Sequence, residues 1–195
     1  MLNVLSEFCN KWGLKVNLSK TKIMVFRNGG YLKKCEKCFF QGHTVDTASF
    51  YKYLGLLFTT KLSWTKAKKT LVTQAQKALV MLKQVHSKLG GLAVKPAFKM
   101  FDQMVVPIIT YGAEIWGYEY SKDIERVQIK YCKYLLGLPV FSHNSAVLGE
   151  CGRLPLCVVY MKKCIKFWLK LLHMPEERYP RASYNMLKEI GRAHV

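Results

Sequence analysis

The segment from Lys61 to Gly90 constrains the fold most, because its apolar residues repeat at helical spacing for about seven turns. The residues on this face are Trp64, Ala67, Leu71, Ala75, Ala78, Leu82, Val85 and Leu89. Ser63 is a typical N-cap, and Gly90-Gly91 is typical of a helix end. We therefore predict one long amphipathic helix between these signals.

The same segment contains seven lysines and no acidic residue. Four of them lie off the apolar face and are expected to stay in water: Lys66, Lys69, Lys77 and Lys83. A solvated helix face usually mixes both charge signs, since pairs four residues apart stabilise the helix. The absence of acids therefore favours a surface that contacts an anionic partner.

The whole chain is strongly basic, with 31 Lys and Arg against 12 Asp and Glu and a net charge of +19. This excess, together with the aromatic content, favours nucleic acid over a membrane surface as the partner. Half of the residues are hydrophobic, so a sizeable core is expected. With no apolar run of 18 residues, no secretory signal pattern and seven cysteines, we expect an intracellular protein, nuclear or cytoplasmic.

Before residue 60 the pattern favours short strands. Helical spacing over residues 2–12 ends at Gly13, and a strand over residues 14–17 is expected to lead into a basic turn centred on Lys20. Residues 23–26 read as a second strand, and two further strand pairs are expected up to residue 58. The predicted fold class is α+β, with a small antiparallel sheet followed by helices.

After residue 90 the pattern is helical. Pro96 suits the first turn of a helix that Pro107 ends or kinks, and Ser121 suits the N-cap of another helix that stops at residues 137–139. A short helix over residues 144–148 precedes a long one that Pro155 opens. We expect that long helix, residues 156–174, to be buried, and residues 178–188 to form a last short helix.

Four short segments carry a resemblance to a known family. They are WGLKVNLSKTKIMVF at 12–26, SFYKYLG at 49–55, Pro107 with YGAEIW at 111–116, and GECGRLPL at 149–156. In this order they resemble reverse transcriptases of non-LTR (LINE-like) retrotransposons, in the part that follows the catalytic aspartates. The resemblance covers about residues 2–187.

The resemblance implies a domain organisation and a partner. Residues 1–60 would be the C-terminal palm remnant with the primer-grip hairpin, 61–140 the helical thumb, and 141–189 a post-thumb extension. The implied partner is an RNA/DNA template–primer duplex, and the palm and fingers N-terminal to this segment would be missing. Residues 190–195 match what a sequencing adapter encodes, so we expect a read-through scar there.

Site residues follow from the same resemblance. Lys20 would assist as the acid or cation at the departing pyrophosphate. Tyr53, Leu54 and Gly55 would lie at the primer end, with Lys52 near a phosphate. Lysines of the long helix would contact the duplex without reading its sequence; they are Lys66, Lys69, Lys77 and Lys83.

The carboxylates needed for polymerase chemistry are not found in the sequence. Nucleotidyl transfer uses two divalent metals held by carboxylates, and no Tyr-X-Asp-Asp motif occurs. The first 60 residues offer only Glu7, Glu36 and Asp46. We therefore predict that this chain alone is inactive and binds no metal or cofactor, with Mg²⁺ expected for the full-length parent.

Two further interpretations remain open. The chain could be a stand-alone basic helical module that binds nucleic acid, or a non-functional retroelement remnant whose exposed core face and strand edges hinder folding. A zinc site at Cys35, Cys38 and His43 is disfavoured, because no second pair of ligands is present.

Overall fold

The computed structural model describes residues 2–26, 38–91 and 93–192, with the backbone alone for 190–192. The chain divides into two compact units between Ala67 and Lys68, a boundary that falls within one helix. The N-terminal unit contains short strands and the C-terminal unit is helical, which confirms the predicted α+β class. The division into palm remnant, thumb and extension stays a prediction.

The described residues of the N-terminal unit form one helix and two β-hairpins. Helix α1 spans Leu2–Trp12, strands β1 and β2 span Cys38–Phe40 and His43–Val45, and strands β3 and β4 span Phe50–Tyr53 and Leu56–Thr59. Both hairpins are antiparallel, and each forms its own two-stranded sheet. The hairpins expected up to residue 58 are therefore confirmed for the described residues.

The end of α1 lies where Gly13 predicted it. Gly13 has a φ of 64°, and the amide of Leu14 donates to the carbonyl of Cys9 at 2.9 Å. Together with the bond from Gly13 N to Asn10 O, this is a Schellman cap. Cys9 is buried, but Trp12, expected on the inner face, is exposed.

The strands expected over residues 14–17 and 23–26 are wrong. Residues 14–17 carry no strand, and within 23–26 Ile23 alone forms a bridge, parallel to Thr47. Its amide donates to Asp46 O and its carbonyl accepts from Ala48 N, each at 2.9 Å. Apolar alternation alone does not form a strand, because a strand also requires a continuous partner ladder.

Helix α2 spans Thr65–Lys88 and confirms the predicted long helix. It begins two residues after Ser63, so Ser63 is not the N-cap; its hydroxyl donates instead to Thr65 Oγ1 at 3.3 Å. Gly90 and Gly91 follow the helix with φ values of 70° and 100°, as expected of a glycine-terminated end.

After α2, the described residues of the C-terminal unit form seven further helices. Helices α3, α4 and α5 span Val94–Met104, Val106–Ile109 and Ala113–Trp116. Helices α6 and α7 span Lys122–Leu135 and Asn144–Glu150, and α8 and α9 span Leu156–Leu172 and Tyr179–Arg192. The predicted helix starts at Pro96, Ser121 and Pro155 are confirmed to within two residues.

Aromatic pairs form the core of this unit. Tyr131 of α6 stacks on Phe101 of α3, with ring centroids 5.0 Å apart, and its hydroxyl donates to Ala97 O at 3.1 Å. Trp116 of α5 packs against Tyr160 of α8 at 5.4 Å. These fully buried rings tie α3 to α6 and α5 to α8.

The expectation that α8 is buried throughout is wrong. Leu156 and Tyr160 are buried, whereas Ile165, Phe167 and Leu169 are exposed. One lysine of α8 is turned inward, because it reaches a partner 53 residues away. This is Lys163, whose Nζ donates to Thr110 Oγ1 at 2.9 Å.

Candidate nucleic-acid interface

The basic turn of the N-terminal unit is built by an asparagine side chain. Asn17 Oδ1 accepts from Ser19 N at 3.1 Å, from Ser19 Oγ at 2.7 Å and from Lys20 N at 3.3 Å. The carbonyl of Lys20 accepts from the Tyr51 hydroxyl at 3.4 Å. The backbone of Lys20 is therefore held while its side chain is exposed.

The tip of the β3–β4 hairpin presents the predicted primer residues to solvent. Leu54 and Gly55 form the turn with φ values of 46° and 84°, the signs that a type I′ turn requires. Tyr53 and Leu54 are 59% and 74% exposed, and Lys52 is exposed in the adjacent position. The hairpin therefore leaves an aromatic, an aliphatic and a cationic side chain accessible, and their role at a primer stays a prediction.

An apolar cleft of 330 Å³ lies beside this hairpin, within the N-terminal unit. Its wall includes Tyr51, Tyr53 and Phe58, and Lys22 stands at its edge. Lys22 forms an ion pair with Asp46 at 2.6 Å, and this hydrogen bond and charge lower the pKa of the Asp46 carboxyl. The cation at the cleft is thus already compensated.

Helix α2 exposes its lysines unequally. Lys66, in the N-terminal unit, lies 5.5 Å from the centroid of the Phe50 ring and is exposed. In the C-terminal unit, helical periodicity places Lys69, Lys77 and Lys88 within about 100° of arc on the side opposite the buried residues. We call these three residues the lysine face of α2. None of them forms an ion pair with the residues that the structure describes.

Two lysines of α2 are wholly or partly buried. Lys68 is buried, and its Nζ forms an ion pair with Glu119 at 2.7 Å and lies 5.6 Å from the Trp116 ring centroid. Lys83, expected in water, is half-buried over the Tyr134 ring at 4.4 Å. Burial and the charge of Lys130 lower the pKa of Lys83. Because its ammonium is half-buried over an aromatic ring, Lys83 is less available to a phosphate than the exposed Lys69 or Lys77.

Several acidic residues of the C-terminal unit are engaged in structural contacts. Six lie between Lys68 and Leu172: Asp102, Glu114, Glu119, Asp123, Glu125 and Glu150. Glu119 holds Lys68, Asp123 pairs with Arg126 at 3.2 Å, and Asp102 pairs with Arg153. None of these ion pairs involves the lysine face of α2, and its positive charge favours the approach of an anionic polymer.

Glu125 is a buried carboxylate that caps another helix. Its Oε2 accepts from Leu156 N at 2.9 Å and its Oε1 accepts from Cys157 N at 2.6 Å, at the start of α8. Burial raises the pKa of Glu125, and the two amide bonds partly offset that effect. A carboxylate at a helix N-terminus satisfies otherwise unpaired amides and stabilises the helix dipole.

Arg153 organises the contact between α3 and the loop that follows α7. Its guanidinium donates to Asp102 Oδ2 at 2.7 Å and Oδ1 at 2.5 Å, and to Gln128 Oε1 at 3.2 Å. It also lies 5.0 Å from the Phe98 ring centroid. Sequence reasoning missed Glu125, Arg153 and Lys133, a further buried lysine that donates to Val140 O at 2.6 Å. Their partners are distant in sequence or backbone atoms, so the local pattern carried no signal.

Neither a metal-binding cluster nor a membrane-spanning helix is found in the part of the chain that the structure describes. There, no three His, Cys, Asp or Glu side chains cluster so as to hold a metal ion. Cys35 of the disfavoured zinc hypothesis lies outside the described residues. None of the described helices is both long and apolar enough to cross a bilayer.

The fold and its surface define the chain as a basic α+β protein whose central helix presents an uncompensated lysine face. The chain is similar in sequence to two proteins from Drosophila melanogaster. One is the "Probable RNA-directed DNA polymerase from transposon BS", 24% identical over 128 residues, which is 66% of this chain and 14% of that protein. The other is the "Probable RNA-directed DNA polymerase from transposon X-element", 23% identical over 147 residues, 73% of this chain and 16% of that protein.

These similarities confirm the resemblance to retrotransposon reverse transcriptases. The chain is a region related to the RNA-directed DNA polymerases of such elements, and its match spans about one-seventh of the relatives' length. No protein-family model and no solved structure matches the chain.

Proposed function

We propose that this chain is a duplex-holding region of a retrotransposon RNA-directed DNA polymerase, and that its partner is an RNA/DNA template–primer. The observation that carries the proposal is the lysine face of α2, which is exposed, lacks acids within the helix and forms no ion pair with the described residues. Ammonium groups on one face of a helix can follow a phosphate backbone without reading bases.

The N-terminal unit supplies a separate part of the proposal. In it, Tyr53, Leu54 and Gly55 contact the primer end, Lys52 contacts a phosphate, and Lys20 assists the departing pyrophosphate. The support is accessibility: the hairpin tip and the Lys20 side chain are exposed on backbones fixed by turn hydrogen bonds.

The chemistry of polymerisation is proposed to depend on residues outside this sequence. The chain contains no Tyr-X-Asp-Asp motif, and two-metal catalysis needs such carboxylates to hold Mg²⁺. We expect the purified chain to bind a duplex and to extend no primer. Primer extension with Mg²⁺, nucleotides and an RNA template would contradict this part.

The binding proposal is tested by the salt dependence of duplex affinity. The apparent affinity for a labelled RNA–DNA hybrid is measured across a salt series for the full chain and for Lys69→Gln/Lys77→Gln. Each lost phosphate contact should reduce the slope of log affinity against log salt by roughly one, so we expect a reduction of about two. The matched control is Lys162→Gln/Lys166→Gln, which removes the same charge from exposed positions on α8.

Equal slopes for the two variants would mean that only net charge matters and would refute the α2 interface. A chain that binds the hybrid without salt dependence would refute the proposal as a whole. Both double variants replace exposed lysines, so both are expected to fold. Circular dichroism verifies their folding before binding is compared.

A non-functional remnant is the second candidate, and one observation favours it. The second half of α8 exposes Ile165, Phe167 and Leu169, and exposed apolar surface promotes association. Sedimentation velocity, combined with an unfolding curve, separates the two candidates. A monomer with a cooperative unfolding transition supports the duplex-holding region, whereas concentration-dependent aggregates without such a transition support the remnant.

A further inference from the structure

A cleft of 530 Å³ lies on the C-terminal unit, and none of the residues that line it belongs to the lysine face of α2. Helix α3 forms one wall through Lys95, Phe98, Lys99 and Asp102, and the loop after α7 forms the other through residues 151–153. The wall of α3 is rigid, because Phe98 and the neighbouring Phe101 are buried against Tyr131.

The charges of this cleft do not cancel. Asp102 is the acid that lines it among the described residues, and both of its carboxylate oxygens accept hydrogen bonds from Arg153. Arg153 is therefore neutralised by Asp102, and its guanidinium is further occupied by Gln128. Among the described residues that line the cleft, only Lys95 and Lys99 contribute uncompensated charge.

The two lysines are placed to act together. They lie four residues apart on α3, so their side chains leave the same face of the helix one turn from each other. Both are exposed, and neither forms an ion pair with the described part of the chain. Gln103, also on the wall, adds a neutral side-chain donor.

We propose that this cleft binds a phosphate group between Lys95 and Lys99. The Asp102–Arg153 pair makes this possible, because it removes the negative charge that would otherwise repel the ligand. The source of this phosphate rests on the proposed function: it is a backbone phosphodiester of the bound duplex. A free inorganic phosphate would satisfy the same chemistry.

The first measurement compares Lys95→Gln/Lys99→Gln with the control Lys162→Gln/Lys166→Gln in the full chain. The slope of log affinity for the RNA–DNA hybrid against log salt should fall by about two in the cleft variant. In the control it should fall by less than about 0.5, since those lysines are assigned no phosphate. An equal fall in both variants would overturn the backbone phosphodiester as the ligand.

The second measurement uses inorganic phosphate alone, titrated at constant ionic strength while the lysine ε-CH₂ signals are followed by NMR. Shifts confined to Lys95 and Lys99 support the cleft, and with an unchanged hybrid slope they identify free phosphate as the ligand. No shift together with no slope difference overturns the proposal. The titration contains no nucleic acid, so it still reports on the cleft if the Lys69→Gln/Lys77→Gln test refutes the α2 interface.

Discussion

Gly117 is the residue whose substitution tests the packing of the C-terminal unit most directly. It follows α5 with φ of −72° and ψ of 3°, values that any residue can adopt. At such a position, replacing glycine by alanine normally stabilises a protein by about 0.4–1 kcal/mol, because the unfolded chain loses freedom. Backbone propensity alone therefore predicts that Gly117→Ala is stabilising.

The structure predicts the opposite sign. A Cβ at residue 117 would lie 2.5 Å from the carbonyl oxygen of Tyr160 and closer still to that of Ala113. Both obstacles are backbone atoms, so no side chain can rotate away, and α5 and α8 must separate locally. Overpacking of this kind costs about 1–3 kcal/mol, which exceeds the gain from the unfolded state.

Urea denaturation followed by circular dichroism measures this effect as a lower midpoint at an unchanged m-value. Gly149 provides the matched control, because it lies in α7, has no atom within 4 Å of a built Cβ and is exposed. Gly149→Ala should stabilise the protein by up to about 1 kcal/mol. A Gly117→Ala protein as stable as the wild type, beside a stabilised Gly149→Ala, would refute the described contact between α5 and α8.

Three further predictions concern buried or half-buried polar groups. The pKa of Glu125 is raised, so the folded state holds this proton more tightly than the unfolded state does. The free energy of unfolding should therefore fall as the pH rises above 4.5. Glu125→Gln should remove the contribution of this group to the pH dependence of the free energy of unfolding, measured by denaturation between about pH 4 and 7. Tyr131→Phe should lower that free energy by about 1–2 kcal/mol in the same assay, because the carbonyl of Ala97 loses its buried hydrogen bond. Lys83→Gln should change the salt slope for the RNA–DNA hybrid less than Lys69→Gln does, because the Lys83 ammonium is held over an aromatic ring.

Each of these has an outcome that contradicts it. A pH slope that persists in Glu125→Gln would assign the dependence to other groups. Unchanged stability in Tyr131→Phe would mean that water or another donor satisfies Ala97. Equal binding effects for Lys83→Gln and Lys69→Gln would place both ammonium groups at phosphates.

Helices were predictable because their signals are local. Apolar spacing gave α2 its length, and Gly13, Gly90 and Gly137 ended helices where a positive φ was needed. The exposure of Lys69 and Lys77 followed from their angle to the apolar face, since the angle depends on residue number alone.

Features that depend on distant partners were not predictable. The strand expected over residues 14–17 lacks a ladder, which alternation cannot supply. Lys68 can be buried because Glu119, 51 residues away, accepts a hydrogen bond from its ammonium. Arg153 donates to Asp102 across the same sequence distance. Long side chains can satisfy such partners from many positions, so no spacing rule identifies them.

The ion pair between Lys68 and Glu119 fixes how α2 is rotated about its axis, and this sets a limit on length changes in the helix. Each added or removed residue turns everything beyond it by about 100°. A one-residue insertion between Lys69 and Lys77 would therefore leave the pair intact and swing Lys77 and Lys88 away from Lys69. A single substitution in α2 leaves the other lysines in place. An insertion or deletion would instead spread the lysines around the helix axis, while the composition of the chain stays almost unchanged.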